Sequence, residues 1–516
     1  MSTPSSGATG GDQPELERVF AEIRALRAAK RLHKAHRRAC SLLATHPDST
    51  EIRWLVATLE IERGQPAAAV EHLRRITTSA PDNPAAHATL GDALLGAGRP
   101  LEAADAYRHA LALRADLSPV RARLALALQE GGELEAAITE YRAAAEALPR
   151  DPTVRYNLGT ALKRLHRFDD ALTAYRAALA LAPRDRQLLL RIAVLLVETD
   201  HLDEAVTHLE TLCAAGSPPA AVWDLLTYAH KKLRHGPQAV QAAERLTELT
   251  NGSVPSLQHL SAARLCAGDP AGALEACERG LARVPASRQL LSDKAIALAG
   301  LGRRDEAARV VDLDRDLFTM PIEAPPGYAS VAEFNADLVR HIDGHPRLRF
   351  DGISLSCHQG ATSDELLVEP KGPVAALESA LEQAARRYRA QLPPGAEHPW
   401  IAHLPAELEL SAWVTMLRDQ GYQHGHIHPT AWISGVYYVR LPEAVRDGSD
   451  DEHAGWIEFG RSPPFYAVPD QGRILPLRPS EGLIVLFPPF FYHRTIPFRS
   501  DERRITIAFD FREPRP

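Results

Sequence analysis

Alanine recurs at every 34th position of the chain: Ala35, Ala69, Ala103, Ala137, Ala171, Ala205, Ala239, Ala273 and Ala307. An alanine-rich composition does not by itself produce nine hits in one unbroken register, so this part of the chain must fold as a stack of like units. Other positions keep the same step. Gly91, Ala125, Gly159 and Ala193 stand twelve residues before their alanine, Tyr107, Tyr141 and Tyr175 four after it, and Pro47, Pro81, Pro149, Pro183 and Pro285 twelve after it. The pattern describes a helical hairpin. The early small residue lets two helices approach, the alanine is buried where the second helix crosses the first, and the aromatic four residues on shares its face and fills the gap to the next hairpin. Proline, which cannot continue a helix, marks the turn between units.

This period and its small–small–aromatic–proline pattern resemble the tetratricopeptide repeat over about residues 16–316. The resemblance implies an all-α superhelical solenoid with a concave groove, since each hairpin buries its apolar face only against its neighbours. Such a groove implies a protein or peptide partner; a rigid spacer or self-association surface is the plainer alternative. Carboxylate-clamp repeats need Lys and Asn where this chain has Ala122 and Leu126, and Asn157 and Arg191 do not complete the set, so a chaperone-tail clamp is not expected.

The 516 residues allow two or three domains. A net charge of −7, spread along the chain, gives no reason to expect nucleic acid or an anionic membrane as partner. Residues 1–15 are small and polar and read as a disordered tail rather than a signal peptide, and no apolar run is long enough to span a membrane. The five cysteines, Cys40, Cys213, Cys266, Cys277 and Cys357, are scattered without a CxxC pair, which suits a reducing cytoplasm.

After Asp316 the register stops. Residues 317–329 include the proline-rich Phe318–Tyr328 and read as a linker, and residues 330–516 as a second domain. Residues 330–342 and 373–391 have helical periodicity. The final hundred hold short β-branched and aromatic runs (AWISGVYYVRL, GWIEF, GLIVLF, RRITIAFDF) bounded by Gly, Pro and Asp. Their number and spacing predict a mainly-β jelly roll, or double-stranded β-helix, with flanking helices.

Three features of that region carry chemistry. Gly421-Tyr-Gln-His-Gly-His-Ile-His-Pro429 runs into Ala431-Trp-Ile-Ser-Gly-Val-Tyr-Tyr438; in an extended chain His424, His426 and His428 share a face, and imidazoles at i and i+2 lie about 7 Å apart at Cα, close enough to share a metal. His493 follows Phe487-Pro-Pro-Phe-Phe-Tyr after a strand, and Arg504 and Thr506 share a face further on. Two ligands from one segment and one from another fill one face of an octahedron, leaving positions for a bidentate cosubstrate and O₂, while an arginine can grip a carboxylate through paired N–H donors.

These blocks resemble the bacterial and phage 2-oxoglutarate/Fe(II) oxygenases with the motif HxHP…W-(I/L)-S-G-V-Y-Y, then G…(V/L)-F-P…H, then R-I-(S/T). The matching residues are His426, His428, Pro429, Trp432, Ser434, Gly435, Tyr437, Tyr438, Gly482, Phe487, Pro488, His493, Arg504 and Thr506, with Trp413 and Gly421-Tyr422 upstream. The resemblance implies Fe(II) on His426, His428 and His493, and 2-oxoglutarate held at its C5 carboxylate by Arg504, with Thr506 and Tyr438 as further contacts. It implies hydroxylation, with a protein or peptide presented by the repeats as substrate. The wider superfamily has a carboxylate two residues after the first histidine; here His428 stands there, and His424 competes for a ligand role. The alternatives are a three-histidine cupin-type dioxygenase that does not use 2-oxoglutarate, or a scaffold whose β domain is structural.

Overall fold

The computed structural model describes residues 13–351, 357–393, 398–446, 453–468 and 472–514. Most of the expected N-terminal tail and the acidic run Asp447–Glu452 lie outside the described residues; the first helix begins at Gln13, within the stretch expected to be tail. From α1 (Gln13–Ala28) to α18 (Arg304–Val310) the chain is a succession of helical hairpins. Two compact units divide between His208 and Leu209.

In the first unit the local rules that build each hairpin are visible in α5 (Pro84–Gly96) and α6 (Pro100–Leu113). Asn83 caps α5 by accepting from the Ala85 and Ala86 amides at 3.0 and 3.3 Å, and proline opens both helices, where its missing N–H costs nothing. Gly98 turns between them at φ 72°, a left-handed conformation that glycine adopts without strain. The register alanines Ala35, Ala69, Ala103, Ala137, Ala171 and Ala205 are completely buried.

The tyrosines do not serve only to fill the space toward the next hairpin. Tyr107 lies over Gly91 of its own hairpin, and a Cβ on Gly91 would come 2.5 Å from its ring; Tyr175 covers Gly159 in the same way at 2.6 Å. Helical side chains lean toward the N-terminus of their own helix, which carries the ring back over its partner helix. The Tyr107 hydroxyl then donates to Asp92 at 2.7 Å. Gly91→Ala is therefore expected to destabilise. Overpacking costs roughly 1–3 kcal/mol and the better helix propensity of alanine returns about 1 kcal/mol, so a net loss of up to about 2 kcal/mol should lower the urea midpoint. Adding Tyr107→Leu should recover part of it.

The second unit continues the hairpins through α13 (Ala220–Lys232), α15 (Val254–Cys266), α16 (Pro270–Leu281) and α17 (Arg288–Gly300), with Ala239 and Ala273 again fully buried. The β region follows. Its larger sheet has seven antiparallel strands in the order β1-β8-β5-β10-β4-β3-β2: β1 (Phe318–Pro321), β2 (Phe350–Asp351), β3 (Cys357–Ser363), β4 (Glu409–Gln423), β5 (Ile433–Arg440), β8 (Leu483–Phe487) and β10 (Arg504–Arg512). A smaller sheet has the order β7-β6-β9: β6 (Ile457–Phe459), β7 (Leu475–Leu477) and β9 (His493–Thr495). Two antiparallel sheets with flanking helices agree with a jelly roll.

The strands expected from AWISGVYYVRL, GWIEF, GLIVLF and RRITIAFDF are β5, β6, β8 and β10, and the two expected helices are α19 (Val331–Gly344) and α20 (Val374–Gln391). Part of the segment read as a linker is instead β1, paired with β8 from Phe318↔Leu486 to Pro321↔Leu483. Proline is tolerated there because β1 is an edge strand, bonded on one side only.

Alternation along β10 divides the domain. Ile505, Ile507 and Phe509 face a core shared with Phe334 and Leu338 of α19 and Leu377, Leu381 and Tyr388 of α20. The intervening Arg504, Thr506, Ala508 and Asp510 face a cavity on the other side. β5 does the same: Tyr437 reaches α19, its hydroxyl 2.6 Å from Asn335, while Tyr438 lines the cavity. No helix of the described residues is long and apolar enough to cross a membrane.

Candidate metal centre

The cavity holds about 260 Å³ and is lined by residues from β4, β5, β6, β8, β9 and β10 and from the segment between β4 and β5. His426, His428 and His493 converge there, their candidate ligand nitrogens all within 4.8 Å of one another. The pair His426 and His428 does not lie on a strand, as simple alternation would have it. β4 ends at Gln423, and the pair sits in the connection to β5. That connection is anchored through its backbone: the His426 and His493 amides each donate to the other's carbonyl at 3.1 Å, and the His428 amide donates to Pro489 O at 2.9 Å. His493, on β9 of the smaller sheet, is thereby brought against the other two.

Each imidazole is oriented by its Nδ1. That of His426 meets the His424 carbonyl at 2.7 Å, that of His493 the Phe491 carbonyl at 3.0 Å, and that of His428 the Asp510 carboxylate at 2.7 Å. With Nδ1–H engaged, Nε2 carries the lone pair, and the His428 Nε2 is buried without a hydrogen-bond partner. Burial, followed by the neighbouring His428, pushes His426 down to about 4; burial and both neighbours hold His493 well below the ordinary histidine range. Imidazoles oriented in this way, one with an orphaned nitrogen, are the donor set a first-row divalent metal takes.

His424 is not part of the cluster. Its ring packs edge-on against Tyr422, and its contribution to the site is the main-chain carbonyl that holds His426. Trp413 stacks over His428 with ring centroids 5.9 Å apart, and Phe487 packs against His493 at 4.6 Å.

Asp510 is the residue that sequence inspection passed over. It lies two positions beyond Ala508 on the face already occupied by Arg504 and Thr506, so the same alternation marks it. It accepts from Ser434 at 2.7 Å and Arg512 at 2.7 Å as well as meeting His428. Burial works to raise its carboxyl, but His428, Arg512 and Ser434 outweigh burial and leave it below its ordinary value. A carboxylate thus stands one hydrogen bond from His428. Carboxylate–histidine pairs of this kind fix the ring and raise its basicity, and losing one costs about 10–100-fold in metal affinity. Asp510→Asn is expected to weaken metal binding by that factor, measured by anaerobic titration.

Arg504 is 2% exposed, its guanidinium 5.4 Å from the Tyr438 ring centroid, and Thr506 is register partner to Tyr438. Burial pushes the Tyr438 phenol up to about 12 against the pull of Arg504, so it stays protonated. Among the described lining residues Asp510 is the one carboxylate, and Arg512 pairs with it; Arg504 brings a second guanidinium to the wall.

Residues 411–510 match the model of a family described as Putative 2OG-Fe(II) oxygenase. Residues 20–84, 55–119, 125–166 and 156–221 match models of the tetratricopeptide repeat. The chain carries tetratricopeptide repeats within residues 20–221 and, at residues 411–510, a domain of the family described as Putative 2OG-Fe(II) oxygenase. The oxygenase match includes the three histidines, Arg504 and Asp510. No curated protein matches the chain. Similar solved structures include MamA from Desulfovibrio magneticus RS-1, with 21% identity over 32% of this chain and 93% of that one and a TM-score of 0.31. A tetratricopeptide repeat protein from Parabacteroides merdae has 12% identity, coverages of 48% and 98% and a TM-score of 0.36. The C-terminal part of a repeat-containing protein from Cytophaga hutchinsonii has 18% identity, coverages of 47% and 99% and a TM-score of 0.41.

Proposed function

We propose that the oxygenase domain is an Fe(II)- and 2-oxoglutarate-dependent dioxygenase that hydroxylates a protein or peptide bound by the repeats, in a reducing cytoplasm. The observation that carries this reading is the convergence of three oriented imidazoles in a cavity whose wall also holds the buried Arg504. His426, His428 and His493 would hold the iron, and Arg504 the C5 carboxylate of 2-oxoglutarate, with Thr506 and Tyr438 beside it. When bound, iron and cosubstrate supply the oxidising chemistry, in which 2-oxoglutarate is converted to succinate and CO₂ and one oxygen atom of O₂ enters the substrate. The chain's part is to orient. Asp510 keeps the His428 proton on Nδ1, the carbonyls of His424 and Phe491 do the same for the other two rings, and Val436, Ile457 and Phe487 form dry wall.

A second reading rests on the third ligand being an imidazole: a three-histidine dioxygenase that does not use 2-oxoglutarate. Metal content and 2-oxoglutarate-dependent succinate release, measured on anaerobically purified protein, separate the two. Stoichiometric iron with succinate release supports the 2-oxoglutarate reading. Iron without succinate supports the second. No metal after reconstitution leaves a repeat scaffold with a structural β domain.

A further inference from the structure

The histidine-bearing segments rest on repeat helices. Ile427, between the two histidines of the connecting segment, packs against an apolar cluster that joins Leu265 of α15 and Ile296 of α17 to Tyr466 and Val468. Four residues after Ile427, the Ala431 carbonyl accepts from Arg288 Nε of α17 at 2.9 Å, and the same guanidinium lies 3.7 Å from the Trp432 ring centroid. Tyr492, immediately before His493, is buried in that cluster too. The loop carrying Tyr466 is pinned to the repeats: its hydroxyl donates to Asp293 of α17 at 3.0 Å, and the Ala467 amide donates to Leu265 O at 3.0 Å. Asp293, wholly buried, also accepts from Ser261 at 2.6 Å and Gln289 at 2.9 Å, so its place is fixed from three directions.

We propose that the last repeat hairpins are a working part of the metal centre, and that Arg288 is a positioning residue for the loop bearing His426 and His428. The inference rests on the reading of the three histidines as metal ligands. Few bonds hold that loop, because it belongs to neither sheet. Of its own backbone, the bonds to His493 and Pro489 fix the first half, and the Trp432 amide donating to Phe511 O at 2.8 Å fixes the end. Arg288 supplies what lies between: one directional bond to Ala431 and a flat cation on Trp432 that stops the loop from rolling. A lysine in its place offers a point charge without the planar fork, so it cannot hold both contacts in one geometry.

The test is Co(II) titration of anaerobic, metal-free full-length protein, read from the visible absorption bands that report coordination geometry, with the urea midpoint measured in parallel. Arg288→Ala is expected to weaken Co(II) binding about 10–100-fold, the range seen when support of a metal ligand is lost, and to alter the bands. Arg288→Lys should give a smaller loss in the same direction at the wild-type urea midpoint. Arg303→Ala, which removes an exposed pair with Glu306 on the same repeats, should change neither. Wild-type affinity and bands in Arg288→Ala would overturn the positioning role alone. Should Arg288→Ala unfold, Arg288→Lys decides: equality with wild type overturns the proposal. Absence of Co(II) binding by the wild-type protein would overturn the metal-centre reading, and this inference with it.

Discussion

Alanine at His493 is expected to leave the purified protein without stoichiometric iron. His493 is buried, sits at the start of β9, and is the one candidate ligand contributed by the smaller sheet. Removing it leaves two neighbouring imidazoles from one loop. Losing even a supporting hydrogen bond to a ligand costs about 10–100-fold, so loss of the ligand itself should exceed that. Iron per chain after desalting is the measurement. His424→Ala is the informative companion. The group that orients His426 is the His424 main-chain carbonyl, which alanine retains, so iron content should stay at the wild-type level. Iron kept in His493→Ala and lost in His424→Ala would mean the wrong three histidines have been chosen.

Arg504→Ala is expected to do the converse: keep iron and lose 2-oxoglutarate. The guanidinium is buried in the cavity wall, where truncating one partner of a charge pair costs about 2–5 kcal/mol, equivalent to a rise in KM for 2-oxoglutarate of about 30-fold or more. Arg504→Lys should recover only part of it, because a single ammonium cannot form the two parallel bonds of a guanidinium–carboxylate pair. Succinate release as a function of 2-oxoglutarate concentration gives the number. Turnover unaffected by Arg504→Ala would remove the arginine from the cosubstrate site and favour the three-histidine alternative.

Much of this was visible in the residues. The alanine register marked every repeat because a helix crossing admits only a small side chain, and that requirement is local. Strands β5, β6, β8 and β10 were visible through their branched and aromatic runs. β1 was hidden because Pro321 argues against a strand, and only its place at a sheet edge removes the objection. That Tyr107 and Tyr175 also cover the glycine of their own hairpin was not visible, since spacing alone does not tell which way a helical side chain leans. At the site, His426, His428, His493, Arg504 and Thr506 line one cavity, the first two from a loop rather than by strand alternation. Asp510 could have been found by carrying that alternation two residues further. Arg288 could not: it stands 143 residues from the carbonyl it holds, and nothing in a repeat helix announces a contact outside the array.

The pairing of β1 with β8 bears on how the oxygenase domain can be handled. A fragment started at residue 330, where the helical periodicity resumes, would discard Phe318–Pro321 and strip one flank from Leu483–Phe487. That would leave an unpaired, uncharged row of leucine, isoleucine, valine and phenylalanine backbone open to any passing strand, the kind of edge on which chains stick to one another. Cutting at the apparent boundary would therefore yield material that precipitates, and its silence in an assay would say nothing about the full-length protein.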